Sequence, residues 1–430
     1  MRPKEVQSRP KEVQSRPKEV QSRPKEVQSR PKEVQSRPLD GITVVTLEHA
    51  IAAPFATRQL ADLGARVIKI ERPGSGDFAR GYDKRTHGMA SHFVWTNRSK
   101  ESLTLDVKHP LANDVLQRLL AEADVLVQNL APGAAARLGL SHEALEKIYP
   151  RLIVCDISGY GDGGPYTEKK AYDLLIQSEA GFLSITGTPE TPCKAGNSAA
   201  DIAAGMYAYS SILAALIERG KTGRGRRIEI SMLEAMTEWM SYPLYYSIDD
   251  QPPPGRTGAS HATIYPYGPF KVGAGDTAGT VMLGLQNERE WVVFCQQVLL
   301  KPELATDERF AGNAQRQTNR QVLAAMIDEV FAQLDAATLV DRLDKAEIAN
   351  ARVNDMAALW RHPQLAARDR WRTIDSPVGP LPALLPPGAS ATDDPRMDAV
   401  PALGEHTQAI LAELGLSGSD IQQLQTEGAI

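Results

Sequence analysis

Cysteine is scarce and shows no pairing pattern. Cys155, Cys193 and Cys295 are the three in 430 residues, with no C-x-x-C spacing. That excludes a disulfide framework and a thiolate zinc site, and it points to a reducing, cytoplasmic setting. Long apolar runs are also missing. The best, residues 210–217, opens with two serines and falls well short of the about 18 residues a membrane-spanning helix needs, so the count excludes a transmembrane helix. No P-loop, G-x-S-x-G or H-E-x-x-H is present. The turn after the first expected strand reads Glu48-His49-Ala50-Ile51-Ala52-Ala53 where a dinucleotide fold would place G-x-G-x-x-G, and Gly74-Ser75-Gly76 lacks the third glycine. A nicotinamide or flavin cofactor is therefore not expected.

What is present fits a soluble globular chain. Apolar residues make up 42% and charged residues 23%, enough to bury a sizeable core and to exclude global disorder. Residues 2–36 are five exact copies of Arg-Pro-Lys-Glu-Val-Gln-Ser. The seven-residue period does not make a coiled coil, because each copy offers one apolar residue and a helix-breaking proline. We read residues 1–38 as an extended, disordered, inert tail without the apolar stretch of a signal peptide. The tail carries +6 and the whole chain −5, leaving −11 on the body. An acidic body is no general nucleic-acid binder, although local basic pockets for an anion remain open.

From residue 39 the pattern alternates. Strands are predicted at Thr43–Leu47, Val67–Ile70, Val125–Gln128 and Leu152–Ile157, with helices at Pro54–Leu63, Pro110–Ala123 and Ser141–Tyr149, implying a parallel α/β sheet. Asp201–Arg219 is the clearest helix, with Ile202, Met206, Tyr209, Leu213, Leu216 and Ile217 on one stripe and Gly220 as its stop. A strand at Arg227–Ser231 and a helix at Met232–Met240 follow. The prolines of 251–258 mark a crossing; beyond it a strand near 280–285 and helical stretches near 287–300, 318–345 and 405–415 are predicted. The expected organisation is a large Rossmann-like α/β domain at 39–230, a linker and smaller α+β domain at 231–360, and a segment at 361–430 returning to the large domain.

Seven segments carry a resemblance: LADLGARVIKIERPGSGD (60–77), NRSKESLTLDVKHP (97–110), NLAPGAAARLGL (129–140), ISGYGDGGPY (157–166), AYDLLIQSEAG (171–181), SAADIAAGMYA (198–208) and TGRGRRIEISMLEA (222–235). In this order they resemble the class III CoA-transferase family (CaiB/BaiF type), which includes formyl-CoA and carnitine CoA-transferases. The resemblance implies an interlocked homodimer and a nucleophilic aspartate that attacks an acyl-CoA thioester. The matching residue is Asp201. From the residues alone Asp201 is equally a helix N-cap, and a helix N-terminus would favour its carboxylate form. Attack would give a mixed anhydride and CoA thiolate, then an aspartyl-CoA thioester, and an incoming acid would reverse the steps.

The resemblance also implies that CoA is bound as a substrate, with no metal and no redox cofactor. Arg72, Lys108 and Arg137 match its phosphate contacts. His49, Ile51 and Ala52 would lie near the pantetheine arm or thioester; Leu105, Asp106, Asn129, Leu130 and Ala131 would lie along the nucleotide; Lys170 and Tyr172 match a further CoA segment. Asp173 reads as orienting or structural. Two departures stand out. Ala131 occupies a place where much of the family has Arg, so contact there is through backbone or absent. The glycine-rich lid of formyl-CoA transferases has its counterpart in Thr257-Gly258-Ala259-Ser260-His261, with one glycine, which counts against oxalate. Arg256, His261 and Arg289 are candidates to pair with a distal carboxylate. The pattern looks like the branch handling C4–C5 dicarboxylates, which includes mesaconyl-CoA C1–C4 transferase, with citramalate, itaconate, malate and succinate as further acids.

Two rivals are weighed. An α-methylacyl-CoA racemase needs an acid and a base on opposite faces of Cα and pairs the aspartate with a Gly-His-Asp histidine; here the motif is Ala171-Tyr172-Asp173, and a phenol near pKa 10 is a poor base. A non-catalytic CoA-binding protein would bind CoA with or without Asp201.

Overall fold

The computed structural model describes residues 37–274, 278–390 and 393–430. The expectation of a disordered tail falls, apart from Arg37 and Pro38, outside the described residues.

Six strands form one parallel sheet: β1 (Thr43–Leu47), β2 (Arg66–Glu71), β3 (Lys100–Thr104), β4 (Val125–Gln128), β5 (Ile153–Ser158) and β6 (Arg227–Ser231). Their order is β3-β2-β1-β4-β5-β6. β1, β4 and most of β5 are buried on both faces, as a sheet covered by helices on each side requires. The chain order reverses between β1 and β4, so the carboxyl ends of those strands open a crevice at the switch point, where ligands bind in open α/β sheets.

One face is covered by the helices Ala52–Asp62, Ala199–Thr222 and Met232–Trp239. Ala200, Ala203, Ala204 and Ala208 are fully buried there. Their small side chains let the 24-residue helix approach closely: a Cβ on Gly205 would lie 2.7 Å from the Ala52 carbonyl oxygen. By length and average hydropathy this helix would suit a membrane span, which a count of consecutive apolar residues does not register. It instead packs its small-residue stripe against the sheet and the helix Ala52–Asp62.

The other face is covered by the helix Ala112–Glu122 and by the C-terminal helices Thr407–Glu413 and Gly418–Thr426, whose Ile410, Leu411 and Leu424 join Val45, Ile68, Leu103 and Leu126 in one core. The carboxyl segment thus returns to the large sheet. Asp106 donates its amide to the Ala429 carbonyl at 2.8 Å.

β7 (Tyr267–Val272), β8 (Gly279–Gly284) and β9 (Asn350–Arg352) form a small antiparallel sheet. With the helices Glu288–Val293, Arg320–Phe331 and Ala336–Lys345 they enclose a separate core around Trp291, Phe294 and Phe331. β10 (Trp371–Ile374) and β11 (Leu381–Leu384) pair as a hairpin that packs on Ala90 and Phe93.

Several boundaries differ from expectation. The long helix starts at Ala199 and runs past Gly220 to a left-handed Gly223, whose amide closes on the Arg219 carbonyl at 2.8 Å. The stretch expected as one helix over 318–345 breaks at Asp335, which caps a new helix by accepting the Thr338 amide. Cys155 and Cys295 are buried and Cys193 is exposed. Burial pushes both buried thiols up, Cys295 to about 12.

Candidate active site

The crevice at the β1/β4 switch point is a cavity of about 1030 Å³, at the upper end of small-molecule sites (roughly 300–1,000 Å³). The turn after β1 supplies His49, Ile51 and Ala52 to its wall; the turn after β2 supplies Arg72; the turn after β3 supplies Leu105, Asp106 and Lys108; the turn after β4 supplies Asn129, Leu130 and Ala131. The segment after β5 adds Lys170, Tyr172 and Asp173, and the long helix adds Asp201. Every strand up to β5 therefore sends its carboxyl-terminal turn into one cavity.

Four residues singled out in the sequence stand apart from this lining. Arg137 is exposed beside it, Nη2 reaching the Pro132 carbonyl at 3.5 Å. Arg256 donates to the carbonyls of Thr188 and Pro189 at 2.9 and 2.8 Å. His261 stacks on Tyr267 with centroids 5.1 Å apart, its Nδ1 accepting the amides of Thr263 and Ile264. Arg289 is exposed on the helix Glu288–Val293. All three distal-carboxylate candidates sit on the segment from 251 onward, away from the cavity formed by the parallel sheet.

Asp201 is the third residue of its helix, following Ser198 at the cap position. The free amides of the first turn are taken by a different carboxylate: Asp173 Oδ1 accepts from Ala200 N at 2.8 Å and Asp201 N at 3.4 Å, while its Oδ2 accepts from Gln177. No group among the described residues hydrogen-bonds to the Asp201 carboxylate. Burial, then the neighbouring Asp173 charge, pushes Asp201 up to about 7. The helix end was expected to favour the carboxylate form; here the helix amides serve Asp173, and burial outweighs what remains of the dipole.

Around Asp201 the wall is aromatic. His49 stacks on Phe78 at 5.3 Å, Phe78 leans on Tyr82 at 5.8 Å, and Tyr82 meets His92 edge-on at 5.4 Å. Burial and the Asp77 and Asp201 charges push the Tyr82 phenol up to about 12, so it stays a hydrogen-bond donor. Desolvation lowers His49 below the usual imidazole value. Its Nδ1 is buried without a hydrogen-bond partner and lies 3.9 Å from Asp77 Oδ1.

The cations differ from the rest of the surface. Arg72, Lys108 and Lys170 are exposed at the cavity on three separate segments, and none has an ion pair or side-chain hydrogen bond among the described residues. Most other cations of the parallel-sheet region are paired, as Arg66 is with Glu101 and Arg80 with Glu71. Three unpaired cations around one cavity suit a polyphosphate. No cluster of metal-ligating side chains occurs among the described residues.

The turn bearing His49 is unusually constrained. Asn129 brackets His49, accepting its amide and donating to its carbonyl, both at 2.9 Å. Ala50 is left-handed, φ 61°, which costs of order 1–3 kcal/mol for a residue with a Cβ. Beneath it lie four fully buried charges. Glu48 accepts from Lys100 at 2.6 Å and Lys69 at 3.4 Å; Lys69 also reaches Asp77 at 2.7 Å. The two lysines hold Glu48 down at about 2 against the opposing effect of burial. Sequence reading passed over this group, because a buried Lys or Glu looks like any surface charge in the sequence. The signal was the turn itself, where Glu48 directly follows a buried strand.

Comparison with known proteins follows the same lines. The description of CoA-transferase family III matches residues 39–407. A human succinyl-CoA:glutarate CoA-transferase is 31% identical, covering 87% of this chain and 86% of its own. An acetyl-CoA:oxalate CoA-transferase from Acetobacter aceti is 35% identical over 77% of this chain and 84% of its own. The crystal structure of a CaiB/BaiF family protein from Brucella suis superposes with a TM-score of 0.77 at 35% identity, covering 88% of this chain and all of that one.

Proposed function

The chain belongs to CoA-transferase family III, and we propose that it moves CoA between C4–C5 dicarboxylic acids with Asp201 as the covalent relay. The observation that carries this reading is an unpartnered carboxylate entering a cavity ringed by three unpaired cations. The ionised Asp201 attacks the thioester carbonyl, the C–S bond breaks, and CoA leaves as thiolate from an acyl-aspartyl anhydride. Thiolate attacks the aspartyl carbonyl, expelling the donor acid and leaving an aspartyl-CoA thioester. The acceptor carboxylate attacks that thioester, re-forming an anhydride, and thiolate takes the new acyl group away. In this reading the Tyr82 phenol would donate a hydrogen bond to the acyl oxygen, and Arg72, Lys108 and Lys170 would hold the phosphates.

The C4–C5 class rests on the sequence pattern and on the succinate and glutarate named for relatives. Intramolecular transfer in mesaconyl-CoA, or succinyl-CoA-dependent transfer to citramalate, itaconate or malate, falls within it. Arg256, His261 and Arg289 fit this reading in a homodimer, where the segment at 231–360 of one subunit closes the cavity in the 39–230 segment of the other. Exposed Trp239, Tyr242, Leu244 and Tyr245 support such a contact surface. A reducing, cytoplasmic setting agrees with the unpaired cysteines.

The test is incubation with succinyl-CoA and each of glutarate, mesaconate, itaconate and oxalate, followed by hydroxylamine. Transfer to a C4–C5 acid with an Asp201 hydroxamate is the expected result. Transfer to oxalate alone overturns the substrate class. Exchange of an α-proton with D₂O without transfer overturns the relay in favour of racemisation.

A further inference from the structure

The four buried charges beneath the β1 turn need an explanation that stability does not supply. Taking ions out of water is unfavourable, and apolar residues of similar size generally serve a core as well or better. Glu48, Lys69 and Asp77 are all 0% exposed and Lys100 is 3% exposed. Lys100 is fixed further by the Pro54 carbonyl at 3.0 Å and Asn97 Oδ1 at 3.2 Å, and Glu48 by the hydroxyls of Thr46 and Thr57. The group is anchored on the sheet and the first helix, and it ends at Asp77.

Asp77 links the group to the segments that line the cavity. Its Oδ2 accepts from Lys69, while its Oδ1 accepts two amides, Ala50 N at 3.1 Å and Ala79 N at 2.9 Å. The first belongs to the left-handed residue between His49 and Ile51. The second belongs to the 3₁₀ turn Phe78–Gly81 that carries Phe78. The amide of Asp77 is itself held by Glu71 Oε1 at 3.0 Å. One carboxylate thus joins the turn after β1 to the aromatic wall, with Lys69 as the counter-charge on its other oxygen.

We propose that Asp77 is a positioning residue for CoA transfer: by accepting the Ala50 amide it holds the left-handed turn that sets His49 and Ile51 in the cavity wall. The proposal rests on the transferase reading of that cavity. Lys69 serves it indirectly: its bond to Oδ2 turns the carboxylate so that Oδ1 faces the two amides. Without an acceptor beneath it Ala50 has no reason to stay at positive φ, and the wall facing the acyl group relaxes.

Variants of the full chain, two of them charge-balanced, separate this role from folding. In D77N the carboxamide oxygen turns to Lys69 and its NH₂ faces two amide donors, so the Ala50 bond is lost. In K69M/D77N the lysine is gone, the oxygen is free to accept from Ala50, and Glu48 still pairs with Lys100. K69M/D77A has the same charge balance and no acceptor. With succinyl-CoA and the acid that wild type uses, D77N and K69M/D77A are expected to lose roughly tenfold to a hundredfold in kcat, the scale of a small misplacement. KM for succinyl-CoA should stay within about threefold, and K69M/D77N should recover most of the rate. Adding A50G to K69M/D77A should restore part of it, since glycine holds a left-handed turn without a Cβ. Exchange of the Ala50 amide with solvent should rise roughly tenfold in the two impaired variants alone.

Equal kcat in K69M/D77N and K69M/D77A, or a loss in KM only, overturns the proposal. If K69M/D77A does not fold, the step from D77N to K69M/D77N decides: no recovery of kcat refutes the role. Wild type inactive with every C4–C5 acid would instead count against the substrate reading, and the same variants would then be compared on the acid that is used.

Discussion

Asp173 Oδ1 accepts the backbone amides of Ala200 and Asp201, at 2.8 and 3.4 Å, from outside the helix that bears them. The first carboxylate therefore takes the donors that would otherwise stabilise the second as an anion, and it adds a like charge nearby. Burial and the Asp173 charge hold Asp201 near its midpoint of ionisation, at about 7. A carboxylate of ordinary, lower pKa would be better hydrated and a weaker attacker, so the arrangement keeps reactivity at the expense of the ionised fraction at low pH.

The rate should follow that midpoint. For the free enzyme, kcat/KM is expected to rise with pH through about 7 and level off above it, because only the ionised Asp201 attacks. D173N removes the like charge and leaves burial in place, so the rising limb should move to lower pH without reaching the ordinary carboxylate range. Initial-rate profiles of both proteins check this. A limb unmoved by D173N would show that Asp173 does not act on Asp201.

D201N should separate stability from activity. Asp201 is raised from 3.8 to about 7 on folding, so the folded chain binds its proton more tightly than the unfolded one. Stability is then greatest below the unfolded value and falls as pH climbs through the folded value. The amide cannot ionise, so D201N should be the more stable protein at alkaline pH by up to about 4 kcal/mol and should match wild type in acid. Transfer should fall by at least about 1000-fold. Denaturant titrations at the two pH extremes, alongside the assay, supply the comparison.

R72A, K108A and K170A should each raise KM for acyl-CoA about tenfold with kcat little changed, as expected for lost charge-assisted contacts to phosphate. Added salt should narrow the difference from wild type, since all three side chains are exposed. A fall in kcat with constant KM would place these cations in the chemistry instead.

G205A tests the contact between the two helices that carry the site. The new Cβ would lie 2.7 Å from the Ala52 oxygen and 2.9 Å from Phe55 Cδ1. Backbone there cannot give way cheaply, so a loss of roughly 1–3 kcal/mol is expected, with reduced turnover because Ala52 lines the cavity. Unfolding midpoints measured beside activity would show whether both move.

Much of the fold was legible where apolar residues run together or alternate. The strands Thr43–Leu47, Val125–Gln128 and Arg227–Ser231 agree with expectation residue for residue. The sheet's outer strand β3, reading KESLT, was missed because its buried face includes Lys100, a residue that pattern reading assigns to water. β7 was hidden by Gly268 and Pro269, which read as turn residues. At the site, residues contributed by strand ends could be placed from the resemblance. Asp77, Lys69 and Glu48 could not, since their significance lies in meeting one another across three separate segments.

Of the chain's three thiols, Cys193 alone faces solvent. It lies near Gly187, whose carbonyl takes the Gly258 amide at 2.7 Å and so ties two stretches some seventy residues apart. The protein thereby carries a ready attachment point for a fluorescent maleimide. A dye placed there would need no engineered cysteine, and its emission would report whether those two loops part or draw together as an acyl-CoA enters.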